Sequence, residues 1–295
     1  MKEPYQSFIT YIRCELALSA HTVLSYTYDL RQWDAFACAT LGDDYEVTTI
    51  TSNDLRLWIA HLAASGVSQR SIRRKIQTLR ALFTFMMKRR GVAVNPAAEL
   101  TPARLPKPLP RVVAPADTER ALSAHVDPSN FVEVRDHLIV DMLYSTGMRA
   151  SELVGLRDVD VNNSAMELKV LGKRNKQRVI PYGSNIANQI ALYRRLRPVP
   201  CDDSFFVRED SKPIKYQHVN AIVKQAFAEL PSHPTPHCLR HSCATDMLND
   251  GAGLTAVKEL LGHSSLATTQ IYTHLSYSEL KHNYELAHPR AKMKG

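Results

Sequence analysis

Several features are missing from this 295-residue chain, and each absence removes a class of protein. No stretch approaches the roughly 18–20 consecutive apolar residues of a membrane span, so no transmembrane segment is expected. The segment from Met1 to Tyr11 has no basic region leading into an apolar core and a cleavage site, so no secretory signal is expected. The five cysteines (Cys14, Cys38, Cys201, Cys238, Cys243) are odd in number, scattered and without a Cys-x-x-Cys pair. That argues against a disulfide framework and for a reducing, cytoplasmic setting. Internal repeats and low-complexity tracts are absent. Acidic residues are missing locally: none occurs from Gly66 to Ala98, where Arg70, Arg73, Arg74, Lys75, Arg80, Lys88, Arg89 and Arg90 all lie.

What is present fits one large or two ordinary soluble domains, with a hydrophobic content of 44%. The net charge of +8 favours a polyanionic partner, although many basic proteins bind nothing acidic. Its distribution says more than its size.

The first third reads as helices. Tyr5 to Ala17 is a short amphipathic segment, and Ser19 is a cap for a longer helix carrying Val23, Tyr26, Leu30 and Trp33 at helical spacing. Thr51 and Asp54 form a capping box ahead of Leu55, Trp58, Ile59 and Leu62. A helix from about Ser71 to Lys88 puts Ile72, Ile76, Leu79, Phe83 and Met86 on one face and Arg70, Arg73, Arg74 and Arg80 mostly away from it. Such a face is usually only solvated. Here it has one sign and no acid at i+4, so those four arginines are expected to contact a DNA backbone.

Gly91 to Val113, with Pro96, Pro102, Pro106, Pro108 and Pro110 among basic residues, is the expected boundary. It divides the chain into residues 1–101, a linker at 102–112 and a second domain at 113–295. There the pattern changes. A helix opens at Pro115, a buried one runs from Val132 to Leu143, and another begins after Tyr144-Ser145-Thr146-Gly147. Strands are expected at Val159–Val161, Met166–Leu171 and Arg178–Tyr182, with a turn at Gly172–Gln177. After loops around Phe205-Phe206-Val207, the remainder reads as helical to about Ala287.

Within that remainder, His237-Cys238-Leu239-Arg240-His241 and the residues from there to Tyr272 need a chemical explanation. His237 and Arg240 are three apart and share one helix face. Gly262 is a helix stop and Ser264 or Ser265 a cap, leaving His263 at a polar junction. Attack by an oxygen on a phosphodiester places negative charge on two non-bridging oxygens, which the planar fork of arginine suits; Arg149 and Arg240 are the candidates. Tyr272 as nucleophile needs a base or a positive field, and His237 and His263 titrate in the right range. Lys173, at the hairpin turn, is placed to protonate a leaving 5′ oxygen.

Singly, each residue has a plainer explanation. Arg149-x-x-Glu152 is an ordinary helical ion pair, Gly172-Lys173 a common turn, and Tyr272 half-buried packing near a helix end. Their joint occurrence, in order and in separate segments, is what those explanations do not predict. A zinc site built on His233, His237 and His241 fits by residue type, but Pro234 and Pro236 prevent one helix through all three, and there is no His-Glu-x-x-His. No metal and no cofactor is expected.

Arg149-x-x-Glu-Leu, Lys173, His237-x-x-Arg240, Leu261-Gly262-His263 and Tyr272 together resemble the full signature of the tyrosine recombinases, the phage lambda integrase family. The segments Gly147–Leu156 and His288–Ala291 are most similar to the Xer recombinases within it. Cys243, Asp246 and Gly253 depart from the usual pattern outside the catalytic set. The resemblance implies a mainly α fold: an all-α, SAM-like core-binding domain, then an α+β catalytic domain with a small antiparallel sheet. It implies that Tyr272 attacks a scissile phosphate to give a 3′-phosphotyrosyl link. Arg149, Arg240 and His263 hold the phosphate oxygens, His237 assists the tyrosine, and Lys173 is the general acid. Neither ATP nor a metal is needed. The implied partners are a double-stranded recombination site, three further protomers of this or a second Xer-type recombinase, and a division-associated DNA translocase. The segment from about Ser276 is expected to dock on a neighbouring protomer. The implied role is resolution of chromosome dimers, with an integrase or invertase of a mobile element as the alternative. A DNA-binding regulator and a topoisomerase-like relaxing enzyme are the rivals of other classes.

Overall fold

The computed structural model describes residues 1–101, 112–172, 177–230, 234–262 and 286–287. The chain divides into two compact units, Met1–Lys107 and Pro108–Gly295.

The first unit is helical: α1 (Glu3–Cys14), α2 (Ala20–Leu41), α3 (Ser52–Ala64) and α4 (Gln69–Arg90). The expected caps start α2 and α3. The Ser19 hydroxyl accepts from the Thr22 amide, Thr51 and Asp54 close a capping box, and Ser68 accepts from Ser71, so α4 begins earlier than its apolar stripe suggests. The apolar faces meet around Tyr5, Phe8, Leu30, Trp33, Trp58 and Phe83, all buried. The polar atoms carried inside are satisfied: Trp33 Nε1 donates to the Tyr5 hydroxyl at 2.9 Å, and that hydroxyl lies 2.8 Å from the hydroxyl of Tyr45. Ala97 and Leu100 are buried in this same core, so the first unit continues well past Gly91, where the expected boundary stretch starts.

The second unit contains α5 (Pro115–Leu122), α6 (Phe131–Thr146), α7 (Ala150–Val154), β1 (Val161–Asn162), β2 (Glu167–Leu171), β3 (Gln177–Pro181), α8 (Ser184–Leu196), α9 (Tyr216–Ala226), α10 (Pro236–Asn249) and α11 (Leu254–Leu261). The strands form an antiparallel sheet in the order β1-β2-β3, with Leu168 opposite Ile180 and both buried. The strand expected at Val159–Val161 is mostly a 3₁₀ turn (Asp158–Asp160), and only Val161 and Asn162 pair with β2. Helix α8 occupies a stretch between the last expected strand and the Phe205-Phe206-Val207 loops where no element is expected from the sequence. It supplies Tyr193, whose ring lies against Phe205 and Phe206 and whose hydroxyl donates to the Phe205 carbonyl.

Helix α6 is buried nearly all round from Val134 to Thr146, as a central core helix must be. Its one deeply buried acid, Asp141, accepts hydrogen bonds from Ser145, Asn185 and Gln189. These neutral donors compensate its desolvation. The end of α6 and the starts of α7 and α10 are thereby held on a rigid support, and it is there that the candidate residues gather.

Candidate active site

Gly147 ends α6 in the left-handed region, at φ +59°. A Cβ there would lie 2.5 Å from Cδ2 of Leu261 and 3.1 Å from Sγ of Cys243. Glycine therefore brings the end of α6 against both α10 and α11. Two residues later Arg149 caps α7, and its backbone amide donates to Glu152 Oε2 at 2.8 Å.

From that cap, Arg149 reaches Glu152 Oε1 with Nη1 (2.7 Å) and the carbonyl of Gly262 with Nη2 (3.3 Å). Arg240, on α10, donates from Nη1 to the Gly147 carbonyl (2.6 Å) and from Nη2 to the Leu261 carbonyl (2.5 Å). Two guanidiniums from segments 91 residues apart in sequence (149 and 240) thus hold successive carbonyls at the end of α11. Helix α11 stops there because Gly262 adopts φ +64°. Arg240 is only 3% exposed, so it is fixed in place before any substrate arrives. Burial, and then the positive charge of Arg149, lower its pKa to about 10, which leaves it charged at neutral pH.

His237 lies one turn before Arg240 on α10, as its spacing requires, with Nε2 3.1 Å from Nε2 of His241. Burial, and then the neighbouring His241, Arg240 and Arg149, push its pKa below the ordinary histidine value. A neutral imidazole beside two guanidiniums can accept a proton at pH 7. Of the remaining candidates, Lys173, His263 and Tyr272 lie outside the described residues, as does all but 286–287 of the segment from about Ser276 expected to dock on a neighbouring protomer. Ala287 is buried in the core of its own unit.

Sequence reasoning missed Arg178. It stands on β3, and its guanidinium grips Glu152 with two parallel bonds of 2.8 Å each, while Nε donates to the Leu260 carbonyl at 2.9 Å. Glu152 is therefore more than the helical partner of Arg149. Burial alone would raise its pKa; the bonds from Arg178 and from the Arg149 amide overcome that and hold it at about 2. No local pattern marks Arg178, because its partners are 26 and 82 residues away.

The four arginines expected on DNA separate. Arg70 and Arg73 are exposed. Arg74 pairs with Asp29 at 2.9 Å and donates to the Ser25 carbonyl. Arg80 clamps the backbone with bonds to the carbonyls of Ala97 (3.0 Å), Ala98 (3.1 Å) and Leu100 (2.7 Å). The acids that α4 lacks arrive from α1, from the residue that follows it and from α2: Lys75 is buried against Asp29, Arg89 pairs with Glu15, and Arg90 with Glu3. The helix carries no acid of its own, as expected; the acids that meet its basic residues come from elsewhere in the first unit.

Residues 112–279 match the model of the Phage integrase family, and residues 5–90 that of the Phage integrase N-terminal SAM-like domain. The chain belongs to the phage integrase family. This integrase-family chain is 36% identical to the tyrosine recombinase XerC of Psychromonas ingrahamii, over 98% of this chain and 97% of that one. It is 34% identical to the XerC of Haemophilus influenzae strain Rd, over 96% of each. In fold it is similar to the Tn1549 transposon integrase solved in complex with circular intermediate DNA, with a TM-score of 0.66, 20% identity, and coverage of 95% of this chain and 98% of that one. It is also similar to the XerH site-specific recombinase bound to difH substrate, with a TM-score of 0.65, 22% identity, and coverage of 94% and 82%. The fold class implied by the sequence holds: a helical SAM-like unit, then a mainly helical unit with one small antiparallel sheet.

Proposed function

We propose that the chain is a site-specific tyrosine recombinase that cuts and rejoins DNA through a 3′-phosphotyrosyl intermediate. We assign it an Xer-type role in resolving chromosome dimers. The observation that carries the chemistry is the convergence of Arg149 and Arg240 on the end of α11, beside His237 and immediately before His263. The Xer-type role is supported by near-full-length relatives named XerC, whereas the transposon integrase is similar at 20% identity only. A mobile-element role is therefore not favoured.

In this reading the Tyr272 oxygen attacks the scissile phosphorus and its proton passes to His237. Arg149, Arg240 and His263 hold the two non-bridging oxygens as charge builds on them. The bond to the 5′ oxygen breaks, and Lys173 supplies the proton that makes it a hydroxyl. One phosphodiester is exchanged for another, so strand exchange needs neither nucleotide hydrolysis nor a metal. The XerH and Tn1549 structures contain DNA, which supports a recombination site as the partner here. Assembly of four protomers, with or without a second Xer-type recombinase, a dependence on a division-associated translocase, and a cytoplasmic location belong to the same proposal.

The test is a supercoiled plasmid carrying two direct copies of a chromosomal site selected by binding to this chain, incubated with excess chelator and no nucleotide. Two smaller circles are expected, from this chain alone or with the second Xer-type recombinase of its host. Relaxation of plasmids lacking the site would instead support the topoisomerase-like reading. Binding without any strand cleavage would support the regulator.

A further inference from the structure

Arg178 has no place in the chemistry described so far, yet it touches two of the segments that carry it. It sits on β3, the strand that follows Lys173 in sequence, and its side chain is only 14% exposed. Its Nη1 and Nη2 occupy one position on each oxygen of Glu152, and its Nε holds the carbonyl of Leu260. A Cβ on Gly262 would lie 3.2 Å from its Nη1, so the guanidinium also backs the last turn of α11.

An ionised carboxylate offers about four acceptor positions, two on each oxygen. On Glu152 all four are taken: Oε1 by Arg149 Nη1 and Arg178 Nη1, Oε2 by the Arg149 amide and Arg178 Nη2. Arg149 consequently meets this buried acid with a single guanidinium nitrogen. A carboxylate and an arginine left alone in a low-dielectric site form a two-point fork, which would turn the Arg149 side chain toward Glu152.

We infer that Arg178 is a positioning residue for strand cleavage: by saturating Glu152 it keeps the Arg149 fork directed at the scissile phosphate, and by holding Leu260 it fixes the turn that leads into His263. This deepens the recombinase reading and rests on it. Arg178 touches no reacting atom. Its effect on the rate passes through Arg149, so removing the charge it neutralises should restore part of what its loss takes away.

The experiment uses the full chain and a nicked, end-labelled duplex that the wild type has selected from a random pool, scored for covalent adduct in a single turnover. Arg178→Met is expected to slow cleavage by about a hundredfold, with DNA affinity within about twofold of wild type. Glu152→Gln added to Arg178→Met relieves the hold on Arg149, and the double variant is expected to cleave about tenfold faster than Arg178→Met alone. Arg178→Lys, which keeps a cation in place but no fork, is expected to show the same loss and the same rescue. Either arginine variant cleaving at the wild-type rate overturns the inference, as does a double variant no faster than Arg178→Met. If the wild type forms no adduct, the recombinase reading falls and the inference with it; an active wild type confines any failure to Arg178.

Discussion

Arg240 donates to the carbonyl of Leu261 at 2.5 Å, joining the middle of α10 to the last residue of α11. The same guanidinium bonds Gly147 at the end of α6, so one buried side chain fastens two helix ends to the middle of a third helix. A group placed to stabilise developing charge is most effective when it cannot reorient, and these carbonyls remove that freedom.

Arg240→Lys keeps the charge and loses the two-point fastening. Adduct formation in a single turnover should fall by roughly a hundredfold or more. Unfolding free energy should fall by about 1–3 kcal/mol, because buried carbonyls lose their donors. Urea unfolding beside the cleavage assay checks both.

Gly147→Ala combines an unfavourable φ of +59° with a Cβ 2.5 Å from a buried leucine. A loss of about 2–4 kcal/mol is expected. Gly91 has a similar φ of +69° with open space around it, so Gly91→Ala should cost only about 1 kcal/mol. Equal losses in urea unfolding would show that the packing against Leu261 contributes nothing.

Glu152 has a folded pKa of about 2 against an ordinary 4.5. A depressed carboxyl contributes stability fully above its unfolded value and loses it as pH falls through the folded one. The contribution should therefore be complete above pH 4.5 and fade toward pH 2, on the order of 3 kcal/mol in all. Urea unfolding of wild type and Glu152→Gln should give a difference that shrinks across that window; a constant difference would contradict the assignment.

Lys75 and Arg70 lie close together in sequence and have different tasks. Lys75→Met leaves Asp29, 1% exposed, short of its buried partner and should destabilise the chain by about 3 kcal/mol. Arg70→Ala should leave stability unchanged and reduce the salt slope of DNA binding by about one. Denaturation and binding at several salt concentrations separate the two.

The starts of α2 and α3 were legible because a cap is a local device: Ser19 and the Thr51–Asp54 box announce themselves within four residues. Gly147 and Gly262 were legible as stops for the same reason. Long-range pairing was not. The basic run of α4 meets Glu3, Glu15 and Asp29, which belong to the distant segments around α1 and α2, and the carbonyl partners of Arg80 lie in the irregular segment after α4, so no local pattern announces either set of contacts. Glu152 read as a local partner of Arg149, while its stronger hold comes from β3. The Val159–Val161 segment has strand-forming residues, yet Asp158 and Asp160 are drawn into pairs with Arg194, Arg197 and Arg157, and the backbone turns.

At the centre stands a covalent bond between Tyr272 and a DNA 3′ phosphate, made in the field of Arg149 and Arg240. Protease digestion of the adduct formed on a nicked, selected site, followed by mass spectrometry, tests it most directly. A nucleotide is expected on the peptide containing Tyr272, with no adduct from Tyr272→Phe. A DNA-linked peptide from any other part of the chain, or an adduct from the phenylalanine variant, would contradict it.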